Sequence, residues 1–181
     1  MIEQQYLDDM LLQLKKLKGQ VEKSIAQVDD SQFFAVLDPE ANSIAIIMKH
    51  VAGNMRSRWT DFLTSDGEKP DRNRDGEFLV QKEETRPEIM VAWEDGWKRT
   101  IAAISALAPG DLSRTVHVRG EAHTVLEAIN RQVAHYAAHA GQIVLLAKHH
   151  AGSRWQTLSI PRGKSQAFDV SKRGEPYAYK K

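Results

Sequence analysis

Thr124-Val-Leu-Glu127-Ala-Ile129-Asn-Arg131-Gln132-Val133-Ala-His135-Tyr136-Ala137-Ala-His139-Ala-Gly-Gln142-Ile143-Val144-Leu-Leu146-Ala-Lys-His149 is the stretch on which the reading of this chain turns. Thr124 and, three residues on, Glu127 form a capping box, in which each side chain satisfies a free N–H at a helix start. Behind it Leu126, Ile129, Val133, Ala137, Ile143, Val144 and Leu146 recur with helical period, so the stretch predicts one amphipathic helix over about 124–149. Residues four apart on a helix stack one turn above another, which puts His135 and His139 on one face.

Two neutral imidazoles at that spacing suit one shared metal ion, whose bonds to ring nitrogens are about 2 Å long. The zinc-peptidase helix also needs Glu directly after its first His; Tyr136 stands there instead, so peptidase chemistry is not suggested. The plain alternative is that both histidines are ordinary helix residues, one exposed and one hydrogen-bonded.

Working outward, three more helices are predicted. Tyr6, Met10, Leu11, Leu14, Leu17, Val21 and Ile25 recur at threes and fours over 3–28. Asp29-Asp30-Ser31 then reads as a polar break and Asp38-Pro39-Glu40 as a loop. Asn42 or Ser43 caps a second helix from about Ile44 to Leu63, with Ile44, Ile47, Met48, Val51, Met55, Trp59 and Phe62 on its apolar face. Residues 64–77 are polar and turn-rich, a surface connection whose far end Phe78 and Leu79 would pin. The third helix starts near Pro87, carries Ile89, Met90, Trp93, Trp97, Ile101, Ile104 and Leu107, and stops at Ala108-Pro109-Gly110. Leu112 to Val118 alternates as a short extended segment, one arm of a hairpin turning at Gly120. The fold class expected is all-α: a four-helix bundle with a short extended segment before the fourth helix. Residues 1–170 read as one domain, and 171–181 as a polar, mobile tail.

Composition narrows the function classes. The 25 Lys and Arg nearly balance 24 Asp and Glu, with no basic stripe, so no nucleic-acid partner is expected. With no cysteine, disulfides, thiolate ligands and a cysteine nucleophile are excluded. The polar, acidic start Met1-Ile-Glu-Gln-Gln-Tyr-Leu-Asp-Asp is no signal peptide, and no stretch approaches a membrane span, so no membrane partner and a cytoplasmic location are expected. Pro161-Arg162-Gly163-Lys164-Ser165 lacks the glycine spacing of a phosphate loop and is not read as a nucleotide site.

The second helix offers the pair a partner in Lys49-His50-Val-Ala-Gly-Asn54-Met-Arg-Ser-Arg58-Trp59. His50, Asn54 and Arg58 form a polar line along an apolar face, and buried polar groups left unpaired cost about 1–3 kcal/mol each. Either His50 and Asn54 bond neighbouring backbone, or His50 meets His135 and His139 across the bundle. The layout resembles the DinB/YfiT-like superfamily of bacterial helix bundles. The resemblance rests on Ser43-Ile44, His50 to Asn54 and Arg58-Trp59 in the second helix, and on His135-Tyr136-Ala-Ala-His139-Ala-Gly-Gln142 in the fourth. Val118-Arg-Gly-Glu-Ala-His-Thr-Val125 and Leu158-Ser-Ile-Pro-Arg-Gly-Lys-Ser165 match a branch of that superfamily without a settled function, and the resemblance spans about residues 3–165.

The resemblance implies an up-down-down-up four-helix bundle in which His50, His135 and His139 hold one divalent metal, nickel or zinc first. It also implies a metal- and thiol-dependent transferase, with a low-molecular-weight thiol as cosubstrate and a small-molecule substrate. The rival is a non-catalytic binding or interaction module of a stress response. A metallohydrolase ranks lower: Glu121 and Glu127, the carboxylates near the pair in sequence, do not follow its face. No catalytic residue is assigned. Asn54 and Arg58 would line the mouth of the pocket, Arg58 gripping a carboxylate, or Arg58 forms an ordinary ion pair. Tyr136 and Gln142 would orient a ligand ring or substrate. His123 would cap the fourth helix, His149 and His150 sit at its end, and Trp59, Trp93 and Trp97 belong to the core. The aromatic and Met residues of the second and third helices exceed what one small core needs, so a homodimer is expected.

Overall fold

Leu7, Leu14 and Val21 fall seven residues apart, two helical turns, and all three are buried on one side of α1 (Ile2–Ile25). The structure, a computed structural model, describes residues 2–167. The expected tail from Ser171 lies outside the described residues. Helix α1 ends three residues earlier than its apolar pattern suggests, because Asp29 begins a new helix, α2 (Asp30–Phe34). The Asp29 carboxylate accepts from the backbone N–H of Gln32, and the Gln32 amide oxygen accepts from that of Asp29. This capping box lies in the stretch read as a break. It presents Phe33, fully buried, to the core, and the Arg86 guanidinium lies over the Phe33 ring while donating to the carbonyls of Ile25 and Val28.

Ser43 caps α3 (Ile44–Trp59), its hydroxyl accepting from the N–H of Ile46. The helix stops at Trp59, four residues short of expectation: Thr60 is extended and Asp61 takes a left-handed backbone, φ 48°. Phe62 therefore reaches the core from a turn, its ring against Trp59. Helix α4 (Arg86–Ser105) opens with Pro87 in its first turn, and Glu88 accepts both the N–H and the hydroxyl of Thr85. Gly96 lets α3 come close, since a Cβ there would stand 3.1 Å from the Met55 Cβ. The extended segment becomes a two-stranded antiparallel hairpin, β1 (Thr115–Val118) and β2 (Glu121–Thr124). Arg119 and Gly120 turn it with φ of 57° and 75°, the pair of positive angles that a tight hairpin needs. Thr124 then caps α5 (Val125–Ala151) through the expected box with Glu127.

The protein is mostly helical, with one small sheet. Helix α1 packs on α5 and α4, and α3 packs on α4 and α5, so the four long helices enclose one apolar core to which α2 and the hairpin also contribute. Of the Met and Trp residues of α3 and α4, Met48, Met55, Trp59, Trp93 and Trp97 are buried in this chain's own core, and Met90 is partly buried against it. No described helix is long and apolar enough to cross a membrane.

Candidate metal centre

Helix α3 buries twelve of its sixteen residues, and four of the twelve are polar: His50, Asn54, Ser57 and Arg58. Ser57 bonds locally, donating to the Gly67 carbonyl and accepting from the N–H of Lys69. His50 faces α5. Its Nε2 lies 3.4 Å from the Nε2 of His135, which lies 3.2 Å from the Nε2 of His139. The ligand atoms of the three rings all lie within 4.8 Å of one another. Nitrogens bound to one tetrahedral ion at zinc-like bond lengths stand about 3.3 Å apart, so the two shorter separations already match. The three histidines lie close enough to bind one metal ion.

The far side of each ring decides whether the near side can be a ligand. The Nδ1 of His50 lies 2.9 Å from Glu77 Oε2, and since a carboxylate only accepts, that nitrogen carries the proton. The Nδ1 of His139 lies 2.9 Å from the amide oxygen of Gln142 and is likewise the donor. Both Nε2 atoms are then lone pairs turned toward each other, the tautomer a metal requires. His135 Nδ1 is buried and has no partner. Burial first, then the neighbouring His139, His50, Arg58 and Arg72, push the His135 pKa down from 6.5 to about 4. Burial and His50 also lower that of His139, against the hydrogen bond to Gln142. Between the lone pairs of His50 and His139 stands either a proton on His135 Nε2 or a cation held by all three nitrogens, so the donor set fits a metal.

Glu77 is the residue that sequence reasoning missed. It sits in a short 3-10 turn, Asp75–Phe78, within the segment read as a surface connection, yet it is buried. Arg72 grips it with two parallel bonds, Nε to Oε1 at 2.8 Å and Nη2 to Oε2 at 2.9 Å. Burial pushes its carboxyl up, but the bonds from His50 and Arg72 outweigh this and hold it below the ordinary value. One sequence signal was available. Gly53 lies one turn after His50, and a Cβ there would stand 2.2 Å from Glu77 Oε1. A mid-helix glycine costs about 0.5–1 kcal/mol against alanine, which is a reason to look for something packed against it. Phe78 pins the turn as expected, its ring 4.8 Å from that of His50, whereas Leu79 is exposed.

Of the expected pocket residues, Asn54 and Arg58 line a cavity of about 150 Å³ that His50 and His135 also border, together with Gln132. Tyr136 does not line it. Its ring is buried in the core, and its hydroxyl accepts from Trp59 Nε1 and donates to Asn54 Oδ1, so it orients a pocket residue from behind. Gln142 acts on His139. The cap expected of His123 is supplied by Thr124; His123 instead lies near Glu121 and Arg131. Glu127 is occupied by its capping box and Glu121 is exposed, so neither serves the site.

A family model described as a protein of unknown function (DUF1572) matches residues 1–164, nearly the whole described chain. The chain belongs to this family. Every residue of the histidine cluster and of its supporting bonds lies inside the matched span. A search of curated proteins finds no match.

Proposed function

We infer that this protein is a divalent-metal-binding, DinB-like helix bundle with its four long helices in up-down-down-up order, acting as a metal- and thiol-dependent transferase on a small molecule. The observation that carries the reading is the convergence of three Nε2 atoms, two of them on rings whose tautomers Glu77 and Gln142 set from outside. His50, His135 and His139 would hold the ion, zinc or nickel by ligand type. Such an ion keeps its double charge and an open position, and lowers the pKa of a water or thiol placed there. The protein's own part is to hold three rings, two of them by named hydrogen bonds, and to shape the cavity on their flank. With no cysteine in the chain, a thiol comes from a cosubstrate. Transfer is favoured over hydrolysis because no carboxylate among the described residues lines the cavity, and Glu77, behind His50, is spent on Arg72 and His50.

The test is elemental analysis of protein purified without a polyhistidine tag, then thiol-transfer assays with the metals found. About one ion per chain is expected, with His139→Ala losing both ion and activity while remaining helical. Thermal unfolding with and without chelator separates the alternatives. Collapse of the fold on chelation would make the ion structural. A metal-loaded, stable protein that transfers no thiol would leave the binding module.

A further inference from the structure

Five arginines border the cavity beside the histidines, namely Arg58, Arg72, Arg74, Arg119 and Arg131. Behind them stand three carboxylates, all engaged. Glu77 holds Arg72 and His50, and Glu68 is shared among Arg58, Arg72 and Arg119. Asp66 accepts the backbone N–H groups of Arg119 and Gly120. Five guanidinium groups against three carboxylates leave a surplus of two positive charges around a space of about 150 Å³. A guanidinium does not shed its proton in a protein, so the surplus gives the cavity a field that attracts anions.

Unused donors point the same way. Arg58 is buried, with Nη1 bonded to the Gly67 carbonyl and to Glu68; its Nε is sealed off and unpartnered, and its Nη2 makes no hydrogen bond among the described residues, which leaves Nη2 as its free donor. The chain of bonds from Trp59 through Tyr136 ends on Asn54 Oδ1, which leaves the Asn54 NH₂ as the free end of a side chain lining the cavity. At the exposed mouth, Arg131 meets only the His123 ring, at 3.4 Å, and Arg74 lies over Phe78 without a carboxylate partner among the described residues. Arg119 is held there by a left-handed backbone that non-glycine residues rarely adopt.

We propose that this cavity binds a small oxyanion, a carboxylate or phosphate on a short stem, with Arg58 and Asn54 as its inner donors and Arg74, Arg119 and Arg131 as its rim. The volume admits a group of roughly benzene size. That the bound acid is the substrate or cosubstrate rests on the metal reading above; its binding does not.

Calorimetric titration with succinate, with inorganic phosphate and with neutral succinamide tests the proposal, on tag-free protein both metal-loaded and metal-stripped. One acid or both should bind metal-stripped protein, more weakly as salt rises, while succinamide should not. Whichever acid binds names the head group. Arg58→Lys keeps the charge but removes the Nη2 donor and the planar fork, and should weaken binding about tenfold. Arg131→Gln and Arg74→Gln, at exposed positions, should each weaken it about threefold and steepen no unfolding transition. Acids that bind no better than succinamide, or equally well to all three variants, would overturn the proposal. Protein that takes no metal yet binds an acid would sink the metal reading alone. Protein that loads metal and binds an acid only through that metal would sink this one alone.

Discussion

Helices α1 and α3 are buried against the same core, yet they do different work. The buried face of α1 is Leu7, Leu14, Val21 and Ile25, and its one buried polar residue, Ser24, bonds its own helix at the Gln20 carbonyl. The buried face of α3 alternates Ile44, Met48, Val51 and Met55 with His50, Asn54 and Arg58, whose partners come from α5 and from the loop before α4. A helix that buries only apolar groups can be damaged without touching the site. A helix that buries polar groups depends on distant residues to satisfy them.

The largest expected effect comes from the apolar side. Leu14→Ala should lower stability by about 2–5 kcal/mol in urea unfolding, and leave metal affinity within about twofold. A matching loss of metal affinity would break the distinction. On the other side, Glu77→Gln removes the carboxylate that fixes the His50 tautomer and should weaken metal binding about 10–100-fold by competition with a chromogenic chelator. Gly53→Ala should reproduce that loss without altering any charge, because its methyl group displaces Glu77. Wild-type affinity in Gly53→Ala would mean that Glu77 does not set the ligand.

Acid sharpens the same contrast. The His135 pKa falls from 6.5 to about 4 on folding, so the unfolded chain takes up the proton first as pH drops. Metal-free protein should hold its stability above about pH 6.5 and lose it progressively toward pH 4, a loss that His135→Gln should reduce. Denaturation midpoints flat over that range would contradict the burial of His135. The smallest effect belongs to Gly141 in α5, where a Cβ meets nothing within 4 Å. Gly141→Ala should therefore gain about 0.5–1 kcal/mol in urea unfolding and leave metal affinity unchanged.

The long helices were legible because period and caps are local properties. Val125–Ala151 departs from expectation only at its ends, and the spacing of His135 and His139 survives intact. His50 was legible as a polar residue on an apolar face. Glu77 and Arg119 were not, since their roles arise from contacts with His50 and Glu68 far off in sequence, and Arg72, though its partners are local, lies in a turn-rich segment, which looks alike whether exposed or folded over a site. Asp29 and Gln32 were legible in principle: the capping box stood in the sequence, but too few apolar residues followed to suggest a helix as short as α2.

The hydrogen bond between residues 50 and 77 and the approach of residues 50 and 135 bear on the order of events in folding. His50 and His135 lie 85 positions apart in the chain. That loop must close before three nitrogens can meet, so an ion held there would stabilise contacts that form late. Interactions absent from the folding transition state slow unfolding and leave the folding rate nearly unchanged. Metal should therefore lengthen the lifetime of the native protein without hastening its formation, and stopped-flow refolding and unfolding with and without chelator will read the two limbs separately.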